Sequence, residues 1–227
     1  MATRADVARL AGVSASTVTY ALTGSRPISE ETRARIVAAM EELGYTPNAM
    51  AAGLAGGRSR IVALLFPAAE RGMSNTDLRY VIGAANAARE LGYHLLAWPT
   101  DAHDLDDVTH LSRTGMVDGV ILMEVRLQDE RVDTLRRASI PFSLIGRTAD
   151  TDGLLFADAD FDAIASLAID YLVGLGHEQV AFLNGPERLI TAQYGATLRV
   201  ESGFLQAAAT RDVTAATFRC EHTVTAC

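Results

Sequence analysis

Residues 3–22 read Thr3-Arg4-Ala5-Asp6-Val7-Ala8-Arg9-Leu10-Ala11-Gly12-Val13-Ser14-Ala15-Ser16-Thr17-Val18-Thr19-Tyr20-Ala21-Leu22. Thr3 followed by Asp6 has the pattern of a capping box, and Val7, Ala8, Leu10 and Ala11 supply an apolar face at helical spacing. Gly12 ends this first helix, and Ser14 stands as N-cap of a second in which Val18, Ala21 and Leu22 share one side. So tight a turn needs a small residue where the helices touch, a residue tolerant of positive φ, and an apolar side chain to fill the angle. Ala8, Gly12 and Val18 provide these, four and then six residues apart.

An ordinary helical hairpin with no nucleic-acid role shares that triad. The remaining face of the second helix discriminates: Ser14, Ala15, Ser16, Thr17, Thr19 and Tyr20 are small or hydroxyl-bearing and carry no charge. A helix in a major groove needs short donors and acceptors toward base edges and phosphates, whereas a solvated face more often carries Glu and Lys. Ser29 caps a third helix with Glu30 and Glu31 in its first turn, Ile36, Val37, Met40 and Leu43 facing inward, and Gly44 at its end. Residues 1–46 therefore read as an all-α helix-turn-helix headpiece.

Composition divides the chain in the same way. The 227 residues carry a formal charge of −8, but the first 60 hold seven arginines and five acids, net +2, which leaves the remainder at −10. All 20 basic residues are arginine, a compositional habit and not a site. With 49% hydrophobic and 21% charged residues and a mean hydropathy of +0.14, a buried core is expected and global disorder is not. The longest apolar stretch, Ile61 to Ala69, is nine residues, well short of the ~20 that span a bilayer. The N-terminus has no apolar secretory segment, and Cys220 and Cys227 have neither metal-ligand spacing nor scaffold density. The expectation is a cytoplasmic protein with no membrane partner, no metal, no cofactor and no catalytic residue.

From residue 61 strands and helices alternate. Ile61-Val62-Ala63-Leu64-Leu65-Phe66 is a strand apolar on both faces, followed by a helix from Leu78 to Leu91 and a strand Tyr93 to Trp98. A helix from Leu105 to Thr114, a strand Gly119 to Met123, a helix Glu130 to Ala138 and a strand Phe142 to Ile145 come next. A further cycle runs through a helix Phe161 to Leu175, a strand Val180 to Leu183, a helix Thr197 to Thr210 and a strand within Ala216 to Val224. This alternation predicts a doubly wound α/β domain with a parallel sheet. Ligands of such sheets sit beyond the carboxyl ends of the strands, which nominates Ala68, Ala69, Thr100, Asp101, Glu124, Arg126, Arg147 and Asn184.

The headpiece resembles that of the lac/gal repressor family. The matching residues are Asp6-Val7-Ala8, Ala11-Gly12-Val13-Ser14, Thr17-Val18, Ile28-Ser29, Thr32-Arg33, Ala39-Met40, Leu43-Gly44-Tyr45 and Pro47-Asn48, in order and spacing. The resemblance implies a dimeric bacterial transcription regulator, usually a repressor, that reads a near-palindromic operator and binds a small effector, a sugar by preference. It places Ala15, Ser16 and Tyr20 at base-reading positions and Thr3, Ser14, Thr17, Thr19, Ser29 and Thr32 at backbone contacts. Ala15 offers at most an apolar contact to a thymine methyl, so Tyr20 carries more of the specificity.

Residues 47–60 correspond to the family's hinge helix and linker, with Asn48 and Ala51 on the DNA and Leu54 wedged between central base pairs. Taken by itself, this Pro- and Gly-bounded segment is too short for a stable helix and reads as a flexible linker. Gly53 departs from the family pattern and softens the hinge by roughly 1 kcal/mol relative to Ala, which Arg58 and Arg60 can offset through phosphate attraction.

Residues 61–227 correspond to a periplasmic-binding-protein-like effector domain, with 61–157 as one lobe and 158–227 as part of a second. Asp77 and Arg79 map near its effector pocket, and Asp158 and Asp160 align with an acidic pair at the entry to the second lobe, where capping of the helix at Phe161 is the competing role. Arg199 lies one residue from the family's effector-gripping arginine, whose place Val200 occupies. The effector-binding candidates are thus Asp77, Arg79, Glu124, Arg147, Asp160 and Arg199. Relatives continue past this length, so the second lobe is expected to be incomplete, with apolar faces left bare and the cleft compromised.

Two other functions stand beside this one. An α/β enzyme with an appended DNA-binding head would need a nucleophile with its base or a phosphate loop; Gly174-Leu175-Gly176 falls at a helix end, and His94, His103, His110, His177 and His222 have no metal spacing. A sugar sensor without operator-specific binding is the other.

Overall fold

The computed structural model describes residues 2–46, 58–67, 73–99 and 105–221. Asn48, Ala51, Gly53 and Leu54 of the hinge, the strand-end candidates Ala68, Ala69, Thr100 and Asp101, and the last three residues of the segment Ala216 to Val224 lie outside the described residues; the strand expected there is found at Thr214–Arg219.

The headpiece consists of α1 (Arg4–Leu10), α2 (Ala15–Thr23) and α3 (Glu30–Leu43). Thr3 and Asp6 form a reciprocal capping box, while Ser14 and Ser29 accept the amides of Thr17 and Thr32. Gly12 takes φ +64° in the turn between α1 and α2, a conformation that costs most side chains energy. Val7, Ala8, Ala11, Val18, Ile36 and Ala39 form the core, with Val13, Ala21, Leu22, Met40 and Leu43 packed around it. Two expectations change: Leu10 is 45% exposed and Val37 46%. In α3 the inward stripe is Ile36, Ala39, Met40 and Leu43, spaced i, i+3, i+4 and i+7, and Val37 lies one residue, about 100°, off it. Leu10 sits at the end of a two-turn helix, away from the side that Val7, Ala8 and Ala11 turn inward.

The body begins with β1 (Ile61–Phe66), α4 (Asn75–Glu90), β2 (His94–Pro99), α5 (Leu105–Arg113), β3 (Gly119–Met123), α6 (Glu130–Arg137) and β4 (Phe142–Ile145). A two-residue β5 (Phe156–Ala157) completes a parallel sheet of order β2-β1-β3-β4-β5. Side chains of β1 alternate between two cores: Ala63 and Leu65 pack with Val120, Leu122, Val132 and Leu135, whereas Leu64 and Phe66 pack with Met123 and with Val81 and Ala84 of α4. Coverage on both sides is why the strand is apolar throughout.

The second unit contains α7 (Phe161–Gly174), β6 (Gln179–Asn184), α8 (Glu187–Thr191), α9 (Gly195–Thr210) and β7 (Thr214–Arg219), with β6 and β7 paired in parallel. Ala165, Ile169, Phe204, Ala207 and Ala208 join α7 to α9, and Val180, Phe182 and Ala215 pack beneath them. On the other side of the two-stranded sheet Leu183 and Phe218 are 64% and 54% exposed. The sequence reading lacked β5 and α8, both too short to show a period. Among the described residues no helix is long and apolar enough to cross a membrane.

Candidate nucleic-acid interface and ligand cleft

The outer face of α2 is set by its cap and by Val18. With Val18 fully buried, Ser14, Ala15 and Ser16 are exposed, and Thr17, Thr19 and Tyr20 are partly exposed. Ser14 Oγ accepts the Thr17 amide at 3.1 Å and lies 2.7 Å from Ser16 Oγ and 2.8 Å from Thr17 Oγ1. Thr19 Oγ1 donates to the Ala15 carbonyl and accepts from Arg4 Nη1, both at 3.1 Å, which joins the face of α2 to the start of α1. The guanidinium of Arg26 lies over the Tyr20 ring at 5.2 Å from its centroid, steering that ring from the far end of the helix. Ser29 Oγ donates to Thr32 Oγ1 at 2.8 Å and accepts the Thr32 amide. Arg33 reaches the Ala21 carbonyl at 3.0 Å and ties α3 to α2.

Thr3, Ser14, Ala15, Ser16, Thr17, Thr19, Tyr20, Ser29 and Thr32 therefore all lie at or near the surface of the headpiece. The hydroxyls of Thr3, Ser14 and Ser29 are also engaged in helix caps, a local role that their sequence context signalled. Arg4 and Arg26 are the positions sequence reasoning did not single out, and their cationic side chains beside α2 were the available signal.

The body brings a second set together where the two units of the α/β region meet. Beyond β3, Glu124 adopts φ +56° and its carbonyl accepts from Arg131 Nη2 at 3.0 Å. Asp129 caps α6 and holds Arg131 in a buried ion pair at 2.7 Å, with side chains only 3% and 8% exposed. Burial opposes ionisation of Asp129, but the hydrogen bond and charge of Arg131, with the amides of Arg126 and Arg131, outweigh it and hold the carboxyl below its ordinary range. Leu127 N–H donates to the Gln193 carbonyl, and Gly195 N–H to the Val125 carbonyl, both at 2.9 Å. Arg126 lies over the buried Tyr194 ring, 5.4 Å from its centroid. Tyr194, which sequence reasoning missed, thus lies at the seam between the units.

Beyond β4, Arg147 approaches Asp158 Oδ2 at 3.4 Å, and Arg199 of α9 approaches the same oxygen at 3.6 Å. Arg199 also donates through Nη2 to the carbonyls of Arg147 and Thr148, each at 2.9 Å. Burial first, and then the charge of Arg147, draw the Arg199 guanidinium below its ordinary value, against the pull of Asp158 and Asp162. Asp158 Oδ2 is buried and accepts no hydrogen bond. It lies between two guanidinium groups, at ion-pair distance from each.

The other cleft candidates are more dispersed. Asp77 is 4% exposed and completes a capping box with Ser74, and Arg79 is exposed at the start of the second turn of α4. Asp160 caps α7 by accepting the Ala163 amide at 2.9 Å, so of the acidic pair Asp158 is the member facing the arginines. Asn184 is occupied internally, bonding the Thr197 carbonyl, Glu201 and the Gly185 amide. Among the described residues no group of His, Cys, Asp and Glu could hold a metal ion.

Comparison with known proteins bears on both sites. The family of bacterial regulatory proteins, lacI family, matches residues 3–48. The HTH-type transcriptional regulator AglR of Rhizobium meliloti (strain 1021) is 35% identical over 188 residues, covering 81% of this chain and 52% of AglR. Catabolite control protein A of Priestia megaterium is 29% identical over 184 residues, covering 79% of this chain and 54% of that protein. The chain thus spans about half the length of the curated relatives it matches. Among solved structures, the lac repressor dimer bound to operator and the anti-inducer ONPF aligns with 97% of this chain and 66% of its own, at TM-score 0.76 and 24% identity. The transcriptional regulator CelR in complex with cellobiose aligns at TM-score 0.59 and 23% identity, covering 98% and 67%. At these identities the two structures speak to the fold.

Proposed function

Since the chain belongs to the lacI family of bacterial regulatory proteins, we propose that it is a sequence-specific DNA-binding transcriptional regulator, a repressor that binds a palindromic operator as a homodimer. The observation that carries this reading is the face of α2, where Ala15, Ser16, Thr19 and Tyr20 project charge-free, mostly hydroxyl-bearing side chains from a helix whose opposite side is anchored by Val18. Ser16 and Tyr20 supply base-edge hydrogen bonds. The N-terminal amides of α2, with Thr3, Ser14 and Thr17, sit against the phosphate backbone. Asn48, Ala51 and Leu54 serve the hinge contact with the minor groove. A second copy has an apolar surface to use on α4, where Leu78 and Ile82, one turn apart, are 45% and 51% exposed. DNA as the target makes the cytoplasm its place of work.

The regulating ligand is a small polyhydroxylated effector, a sugar, bound between Arg147, Asp158 and Arg199, with Glu124, Asp77, Arg79 and Asp160 around the mouth. The Asp158 carboxylate supports this reading: its Oδ2 is ion-paired to both arginines but accepts no hydrogen bond, and a sugar hydroxyl is a donor of that kind. Cellobiose, the molecule in complex with CelR, is of the same chemical class.

Selection of operators from a random DNA library with the wild-type chain and with Tyr20→Ala tests the proposal. Wild type yields a palindromic consensus that survives competitor DNA, and Tyr20→Ala relaxes it at defined base positions, each costing ~1–3 kcal/mol of discrimination. An unchanged consensus in Tyr20→Ala removes that side chain from base reading, and binding that vanishes steeply with salt without any consensus leaves only nonspecific attraction.

A further inference from the structure

Ser59 and Arg60, the last two residues before β1, are held by one side chain of the body. Asp118, the residue before β3, accepts the Ser59 amide at 2.6 Å and the Ser59 hydroxyl at 2.9 Å through Oδ1, and the Arg60 amide at 3.0 Å through Oδ2. Ser59 Oγ in turn accepts the Ile61 amide at 3.2 Å, and Asp118 N–H donates to the Ile61 carbonyl at 2.8 Å. Arg60 has φ +56°, the left-handed region that non-glycine residues avoid, and its carbonyl accepts from His94 N–H at 2.8 Å. Such a backbone persists only where its surroundings determine it, and here both peptide groups of Arg60 are held, one by Asp118 and one by β2.

The arrangement is more than the close of a strand end. Asp118 lies 58 residues from Arg60 in the chain, and it meets the last residues of the linker because β1 and β3 are adjacent. The strand it opens ends at Met123, followed by the Glu124 and Val125 carbonyls that hold Arg131 and Gly195 at the cleft. One short strand therefore has the linker at one end and the contact between the two units at the other.

From this geometry we infer that Asp118 is a positioning residue for DNA binding: by clamping Ser59 and Arg60 it fixes the direction in which the linker leaves the body, and so the separation at which two headpieces meet their half-sites. The inference rests on the operator-binding reading above. Asp118 touches no DNA, so its effect is on the geometry of the pair and not on which bases are read.

The test uses the 227-residue chain and the operator it selects from a random library, together with versions of that operator in which one or two base pairs are added to or removed from the centre. Asp118→Ala removes the three bonds that the carboxylate makes to Ser59 and Arg60. Asp118→Asn keeps the shape and one accepting oxygen but turns an NH2 group toward the donors at either Ser59 or Arg60, which preserves the test should the alanine variant fold poorly. Thermal melting confirms that the variants are folded. Both are expected to bind the parent operator about tenfold more weakly, about 1.4 kcal/mol, and to lose most of the wild type's preference among spacings while keeping its half-site sequence. A lesion that only lowered stability would scale all operators equally. Variants that bind with wild-type affinity and wild-type spacing preference overturn the clamp and leave the operator reading intact. A wild-type chain that selects no operator overturns the operator reading and the clamp's role with it.

Discussion

Gly195 opens α9 where the second unit closely approaches the loops after β3 and β4. A Cβ placed there would lie 2.6 Å from Arg199 Nη1, 3.1 Å from the Arg147 carbonyl and 3.1 Å from the Val125 carbonyl. The arginine can swing aside, but only by giving up its bonds to the Arg147 and Thr148 carbonyls and its approach to Asp158. The carbonyls can retreat only if the loops after β3 and β4 move. Hydrogen bonds from a charged donor are worth ~1.5–3 kcal/mol, and with the Arg199 side chain 17% exposed water recovers part of that. Overpacking costs ~1–3 kcal/mol. The two costs describe alternative relaxations and overlap, so Gly195→Ala should destabilise by about 2 kcal/mol. Helix propensity pulls the other way by ~0.5–1 kcal/mol in a helix interior and less at a first residue, too little to win.

Melting should fall by about 4–8 °C at ~2–4 °C per kcal/mol, and urea titration of Gly195→Ala, Arg199→Ala and the double variant should show coupling. With Arg199 shortened, the alanine at 195 has only the two carbonyls to meet, and its cost should drop by about half. A Gly195→Ala protein as stable as wild type, or additive with Arg199→Ala, would refute the view that glycine is there to admit the arginine.

Asp129→Asn leaves the buried Arg131 without its charge partner and should cost ~3–5 kcal/mol in urea unfolding near neutral pH. Because the folded-state value of Asp129 is depressed, its contribution is complete above its unfolded value of ~3.9 and is lost as pH falls through the lower folded value. The variant should therefore show a shallower acid limb than wild type. Ser14→Ala should lower headpiece stability by ~1 kcal/mol, read by circular dichroism melting, and it should weaken binding to all DNA sequences alike.

Much of the architecture was legible because it is written within a few residues. Thr3, Ser14 and Ser29 cap the helices they were expected to cap, and strands Gly119 to Met123 and Phe142 to Ile145 have the expected bounds. What escaped is short or depends on a neighbour. Residues 156–157 become a strand because the Leu144 and Gly146 amides donate to the carbonyls of Leu155 and Ala157, and the isolated segment has no period to betray this. Leu10 and Val37 looked like core residues because they are apolar and near the right spacing, and one residue of angular offset puts them outside. The strand-end rule brought Glu124 and Arg147 to the cleft region, but it could not say that Asn184 would be consumed by Thr197 and Glu201. Nor could it distinguish Asp158, which faces the arginines, from Asp160, which caps a helix.

By itself the sequence determined the helix-turn-helix unit, the alternation of strand and helix, and the two-sided burial of β1, since capping, periodicity and turn chemistry act between residues close together in the chain. Tertiary structure alone decided which distant groups meet: Arg199 with the carbonyls of Arg147 and Thr148, Tyr194 with Arg126, Asp118 with Ser59 and Arg60. Those meetings depend on the order of strands across the sheet and on how the second unit is set against the first. Both are fixed by packing of whole faces, so no local pattern around any one of these residues could have announced its partner.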